Sequence, residues 1–181
     1  MVLNLPINLR AFFGSDTMAN FFAVTMIGWL FRNPDIPFDV LLQKVSSQMD
    51  KKIDKEKLAE SIAYNVSNEK LLAARIVPLF LKNLAMRYVY TTSALANTAT
   101  VTNIGNISVS EEYRPYVEMF HAFLAMSKGQ HLKGTICSYG DTLVFSFSYD
   151  LTDTSVQRGF FRKIAADGIA VEIETNGVNY E

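Results

Sequence analysis

Apolar positions crowd the start of the chain, at Val2, Leu3, Leu5 and Ile7, and predict a strand over about residues 2 to 8. A turn is expected around Gly14, Ser15 and Asp16. The stretch "NFFAVTMIGWLF" at 20–31 then sets aromatic and β-branched residues on both faces, which predicts a strand buried on both sides, with Trp29 in the core. At "NPDIPFDVLLQKVSSQMDKK" the period changes. Phe38, Leu41, Leu42, Val45 and Met49 fall at helical spacing, with Asp35 as N-cap and Pro37 in the first turn. Two more helices are expected near 54–66 and 69–88, the second kinked or broken at Pro78.

The second half reads mostly as strands. "TATVTNIGNISV" at 98–109 predicts strand, bend and strand, and "YVEMFHAFLAM" at 116–126 a strand of imperfect alternation. "HLKGTICSYGDTLVFSFSYD" at 131–150 is the clearest hairpin. Its two-residue loop, Gly140-Asp141, suits a type II′ turn and sends Leu143, Phe145, Phe147 and Tyr149 to one face. A helix follows, capped by Thr152 or Asp153, with a stripe of Val156, Phe160 and Ile164 and a stop at Gly168. "IAVEIET" at 169–175 predicts a closing strand with Ile169, Val171 and Ile173 inward. The expected class is α+β, a mixed β-sheet with helices packed on it. No repeat or linker divides residues 1–181, so a single domain is expected.

Composition adds one tension to this picture. Hydrophobic residues make up 49% of the chain, with 13 Phe and 8 Tyr, and this surplus is either core or interface. Seventeen basic residues balance eighteen acidic ones without forming a run, which argues against nucleic acid as a partner. The apolar stretch "LLAARIVPLFLKNLAMRYVY" at 71–90 is as long as a membrane span, but Arg75, Lys82 and Arg87 favour a buried amphipathic helix. Cys137 is the sole cysteine and reads as a buried, inert thiol in a protein of a reducing compartment. With no basic leader before an apolar block, the expected location is cytoplasmic.

Candidate chemistry is sparse. His121 and His131 each lack an acidic residue four positions on, and no spacing of His, Cys, Asp and Glu marks a metal site. Neither a glycine-rich phosphate loop nor a Gly-x-Ser-x-Gly elbow is present. No residue is assigned a catalytic role.

Four phrases, in order, go further: "LPINLRAFFGSDTMANFF" at 5–22, "IVPLFLKN" at 76–83, "TNIG" at 102–105 and "CSYGDTLVFSFSYD" at 137–150. Together they resemble the chloramphenicol-acetyltransferase-like superfamily of CoA-dependent acyltransferases, in the alcohol acetyltransferase branch related to peptide-synthetase condensation domains. The resemblance implies one half of a two-layer sandwich, the C-terminal half, with Met1 near the crossover between halves. It also implies acyl transfer from acyl-CoA or a pantetheine thioester, used as co-substrate and not held as a tight cofactor, in a tunnel between the halves. The family's histidine motif, H-x-x-x-D, is absent: the fourth residue after His121 is Ala125 and after His131 is Thr135. The chain is therefore expected to be silent alone, and to be completed by an N-terminal half or a second copy that covers its apolar face.

By the same resemblance Asn103, Gly105 and His131 line the tunnel, and Asn8 and Arg10 stand at the junction between halves. Each has a plainer role open to it: a bend at Gly105 capped by Asn103, an ordinary strand histidine at His131, and a structural hydrogen bond or ion pair for Arg10. A different class of function is also open, a non-catalytic binding or assembly module that retains the fold.

Overall fold

A computed structural model describes residues 1–30, 36–70 and 77–176. The elements are β1 (Val2–Asn8), a single turn of helix α1 (Arg10–Phe13), β2 (Phe22–Gly28), α2 (Phe38–Lys52), α3 (Lys55–Lys70), α4 (Leu79–Ala96), β3 (Ala99–Asn106), β4 (Leu132–Tyr139), β5 (Thr142–Tyr149) and α5 (Ser155–Ala166). The strands form one mixed sheet in the order β2-β1-β3-β4-β5, antiparallel at each edge and parallel through β1, β3 and β4. The expected α+β class holds. No described helix is long and apolar enough to cross a membrane.

The β4–β5 hairpin forms as its pattern predicts. Gly140 takes φ 56° while no non-glycine residue among those described, Asp141 included, has positive φ, which is the II′ arrangement. Phe145 and Phe147 lie on the face that α5 covers, and their rings meet Phe160 at 4.3 and 5.3 Å between centroids. Gly134, opposite Phe147, makes room for this cluster: a Cβ there would sit 3.0 Å from Cζ of Phe145. The inward stripe of α5 is Gln157, Phe160, Phe161 and Ile164, shifted from the expected one because Val156 faces solvent. Asp153 caps the helix from outside its first turn, its carboxylate accepting from the Ser155 N–H at 2.9 Å.

Two expected strands lack ladders. Residues 117–126 run without regular structure across the face of β4 opposite α5. There the Cys137 thiol donates to the Phe120 carbonyl at 3.2 Å, Lys133 donates to the Ala125 carbonyl at 2.6 Å, and the Phe120 ring meets Tyr139 edge-on. The imperfect alternation thus reflects one side resting on a sheet, with no strand neighbour. Residues 169–176 are likewise not a strand, and Ile169 and Ile173 are exposed instead of turned inward. The region 98–109 holds one strand with a bulge in place of two.

Strand β2 is an edge strand, not one buried on both sides: Ala23, Thr25 and Ile27 face inward while Phe22, Val24 and Met26 are about half exposed. Helix α2 braces only its far end, where Gln48 hydrogen-bonds both the N–H and the C=O of Gly28 and Lys52 donates to the Met26 carbonyl. Trp29 is half buried instead of central, with the Lys44 ammonium 4.5 Å above its ring. The expected N-cap Asp35 lies outside the described residues, as do residues 71–76.

The largest departure concerns the apolar helix. Pro78 stands just before α4, whose first free N–H groups it suits. Yet α4 is not buried: its Leu79, Phe80, Leu84, Met86, Tyr88 and Leu95 are 65–74% exposed, and Lys82 alone of its described residues is partly covered. The chain's accessible surface is 14179 Å², against about 8,800 Å² for a compact monomer of 20.3 kDa. The apolar surplus of the composition is largely surface here.

Candidate functional site

The site begins with a proline. Backbone bonds between Met1 and Trp29 and from Leu9 to Phe21 bracket the β1–β2 ladder, so odd-numbered residues of β1 bond to β2 and even-numbered ones turn to β3. Val2 accepts from Thr98 on that side at 2.8 Å. Pro6 has no N–H to offer, and the β1–β3 register runs only through Leu3↔Ala99 and Asn4↔Thr100. Beyond it the two parallel strands part at their carboxyl ends, where open sheets containing parallel strands commonly hold ligands.

A cavity of about 290 Å³ fills the gap. Asn8, Arg10, Asn20, Thr102 and Asn103 supply its polar lining, and Ile7, Phe21, Phe22 and Ile104 its apolar walls. "INLR" and "TNIG" are some ninety residues apart in sequence, and the topology places them on opposite sides of one opening. Asn8 and Arg10, expected at the junction between halves, therefore line one cavity with Asn103, expected in the tunnel, whereas Gly105 and His131 lie outside this lining.

Arg10 anchors the loop beside the cavity. Its Nε donates to the Thr17 carbonyl at 2.8 Å, Nη2 to the Ala19 carbonyl at 2.7 Å, and Nη1 to Asn8 Oδ1 at 3.2 Å. The same Asn8 oxygen accepts from the Arg10 N–H. Among the described residues Arg10 has no ion pair, so its role is a hydrogen-bonded clamp that holds Asn20 and Phe21 at the rim. Two of its five N–H groups stay without a partner there.

Asn103 and Gly105 form a bulge. The ladder to β4 slips between them, Gly105 takes φ 85°, and Asn103 Oδ1 accepts the Gly105 N–H at 2.9 Å. This is the capping role, and no described residue engages either donor of Asn103 Nδ2.

His131 finds an acid that its local sequence does not supply. Across the hairpin, its Nδ1 lies 2.9 Å from Asp150 Oδ1, with both side chains about half exposed. His121 pairs more loosely with Glu174 at 3.5 Å. Asn20, Phe21 and Thr102 were not singled out from sequence, although each sits in a quoted phrase. No family model, curated protein or solved structure matches the chain.

Proposed function

We propose that the chain is the C-terminal, substrate-tunnel half of an alcohol O-acyltransferase-like enzyme, one layer of a two-layer sandwich in the cytoplasm. It would hold an acyl-CoA or pantetheine thioester while a complementary half supplies the histidine base. The observation that carries this reading is the convergence of Asn8, Arg10 and Asn103 on one cavity at the carboxyl ends of two parallel strands. The extensive uncovered apolar surface supports it, since a tunnel between halves needs a facing wall. In this reading Asn103 Nδ2 donates to a pantetheine amide carbonyl, a positioning role with no share in proton transfer.

The test is to titrate S-acetyl-pantetheine into the chain and follow backbone amides by NMR. Shifts centred on Asn8, Thr102 and Asn103 are expected; no shift at millimolar thioester overturns the tunnel assignment. Acetyl-CoA-dependent transfer by the chain alone that is lost in His131→Ala would overturn the expectation that it is silent. A second reading, a binding or assembly module, is favoured by the structural hydrogen bonds that already occupy Arg10 and Asn103 Oδ1. An upstream reading frame continuous with the chain and carrying H-x-x-x-D favours the enzyme; a stop codon and ribosome-binding site favour the module.

A further inference from the structure

The outer edge of β2 is open over a defined window. Odd-numbered residues of this strand bond inward to β1, so the N–H and C=O groups of Phe22, Val24, Met26 and Gly28 point away from the sheet. Helix α2 occupies the last of these: Gln48 takes both Gly28 groups and Lys52 takes the Met26 carbonyl. From Phe22 to the Met26 N–H no described residue makes a bond to the outward groups. The window also lacks the usual guards of an edge, for "FAVTM" contains no charge, no proline and no bulge.

We infer that this window pairs with the same window of a second copy, antiparallel across a two-fold axis at Val24. An exposed row of backbone groups selects an extended strand as its partner. The second copy fits because the open stretch is five residues long and centred on Val24, with α2 closing one end. In this register Val24 exchanges both hydrogen bonds with its counterpart, and each Phe22 faces the other chain's Met26. Each Met26 carbonyl can accept from the facing Phe22 while still bonded to Lys52, having two lone pairs. The half-exposed side chains of Phe22, Val24 and Met26 then form one apolar cross-strand ladder, and the two sheets become one of ten strands. This deepens the uncovered-surface part of the proposed function and does not use its acyl-transfer part.

The experiment compares wild type, Val24→Pro and Val24→Cys by light scattering at high protein concentration, with circular dichroism as a check on folding. Val24 bonds nothing in the β1–β2 ladder, so proline there removes only an outward donor. Wild type is expected at twice the chain mass and Val24→Pro at the chain mass with its fold retained. Directly opposed residues of such a pair stand about 5.5 Å apart between Cα atoms, within disulfide range. Mild oxidation of Val24→Cys is therefore expected to give a covalent dimer, the native thiol of Cys137 being buried. A monomeric wild type overturns both self-association and this register. A dimer that survives Val24→Pro and does not cross-link in Val24→Cys overturns the register alone and moves the interface elsewhere, such as to α4. If Val24→Pro misfolds, cross-linking of Val24→Cys decides: formation supports the pairing and failure overturns it.

Discussion

The β5–α5 face and helix α4 are rich in the same kinds of residue and end in opposite states. Phe145, Phe147, Phe160 and Phe161 gather into one cluster with ring centroids 4.3 to 5.8 Å apart. The Leu, Phe, Tyr and Met side chains of α4 stand largely in solvent. The hairpin and α5 are close in sequence, and a short connection returns the helix to the strand that precedes it. Among the described residues helix α4 has no such local partner, and its apolar side chains are spread too widely around it for one neighbour to cover. Apolar composition signals a need for burial; connectivity decides whether the chain itself can meet it.

The comparison breaks if the cluster proves unimportant. Phe147→Ala is expected to cost about 2–3 kcal/mol, below the fully buried range because the residue keeps some exposure to solvent. Thermal unfolding measures this, and a loss under about 1 kcal/mol would mean that α5 does not depend on the aromatic contacts. A gain is expected nearby. Gln157 is buried against the sheet with no partner for its Oε1 among the described residues, so Gln157→Leu should stabilise by about 1 kcal/mol by removing an unsatisfied acceptor. A destabilised variant would show that the amide is bonded in solution.

A smaller effect concerns the start of α5. Asp153 titrates below the ordinary carboxylate range, first because its carboxylate accepts the Ser155 N–H and then because it accepts the Ser155 hydroxyl. A carboxylate depressed in the folded state adds stability that is fully present above its unfolded pKa and is lost as pH falls through the folded value. Melting temperature should therefore fall on acidification in that window, and Asp153→Asn should flatten this component while keeping an acceptor for the cap. An unchanged pH profile in the variant would remove Asp153 from the account. The smallest effect is expected on α4, where Tyr88→Gln should alter stability by less than about 0.5 kcal/mol. It should also lower the binding of a hydrophobic dye, and a large loss of stability would show that α4 is covered in solution.

The legible parts of the sequence were those whose causes are local. The turn at Gly140-Asp141, the period from Phe38 to Met49 and the strand at 2–8 each carry their instruction within a few residues. Residues 117–126 misled because alternation reports that one side rests on something, not that a strand lies alongside, and residues 169–175 alternate with Ile169 and Ile173 left exposed. The closeness of Asn8 to Asn103 depends on β1 and β3 becoming neighbours across β2 and helices α1 to α4, and nothing within either phrase encodes that adjacency. The His131–Asp150 pair escaped a search at four-residue spacing because the hairpin joins positions nineteen apart.

Pro6 also gives the sheet a seam. Seven register pairs tie β1 to β2, six tie β3 to β4 and eight tie β4 to β5, but only two tie β1 to β3. A load that draws the two ends of the sheet apart falls on those few rungs first, so the molecule parts there as two intact plates before either plate frays. The cavity lies on the same line, which makes its width the softest dimension of the sheet.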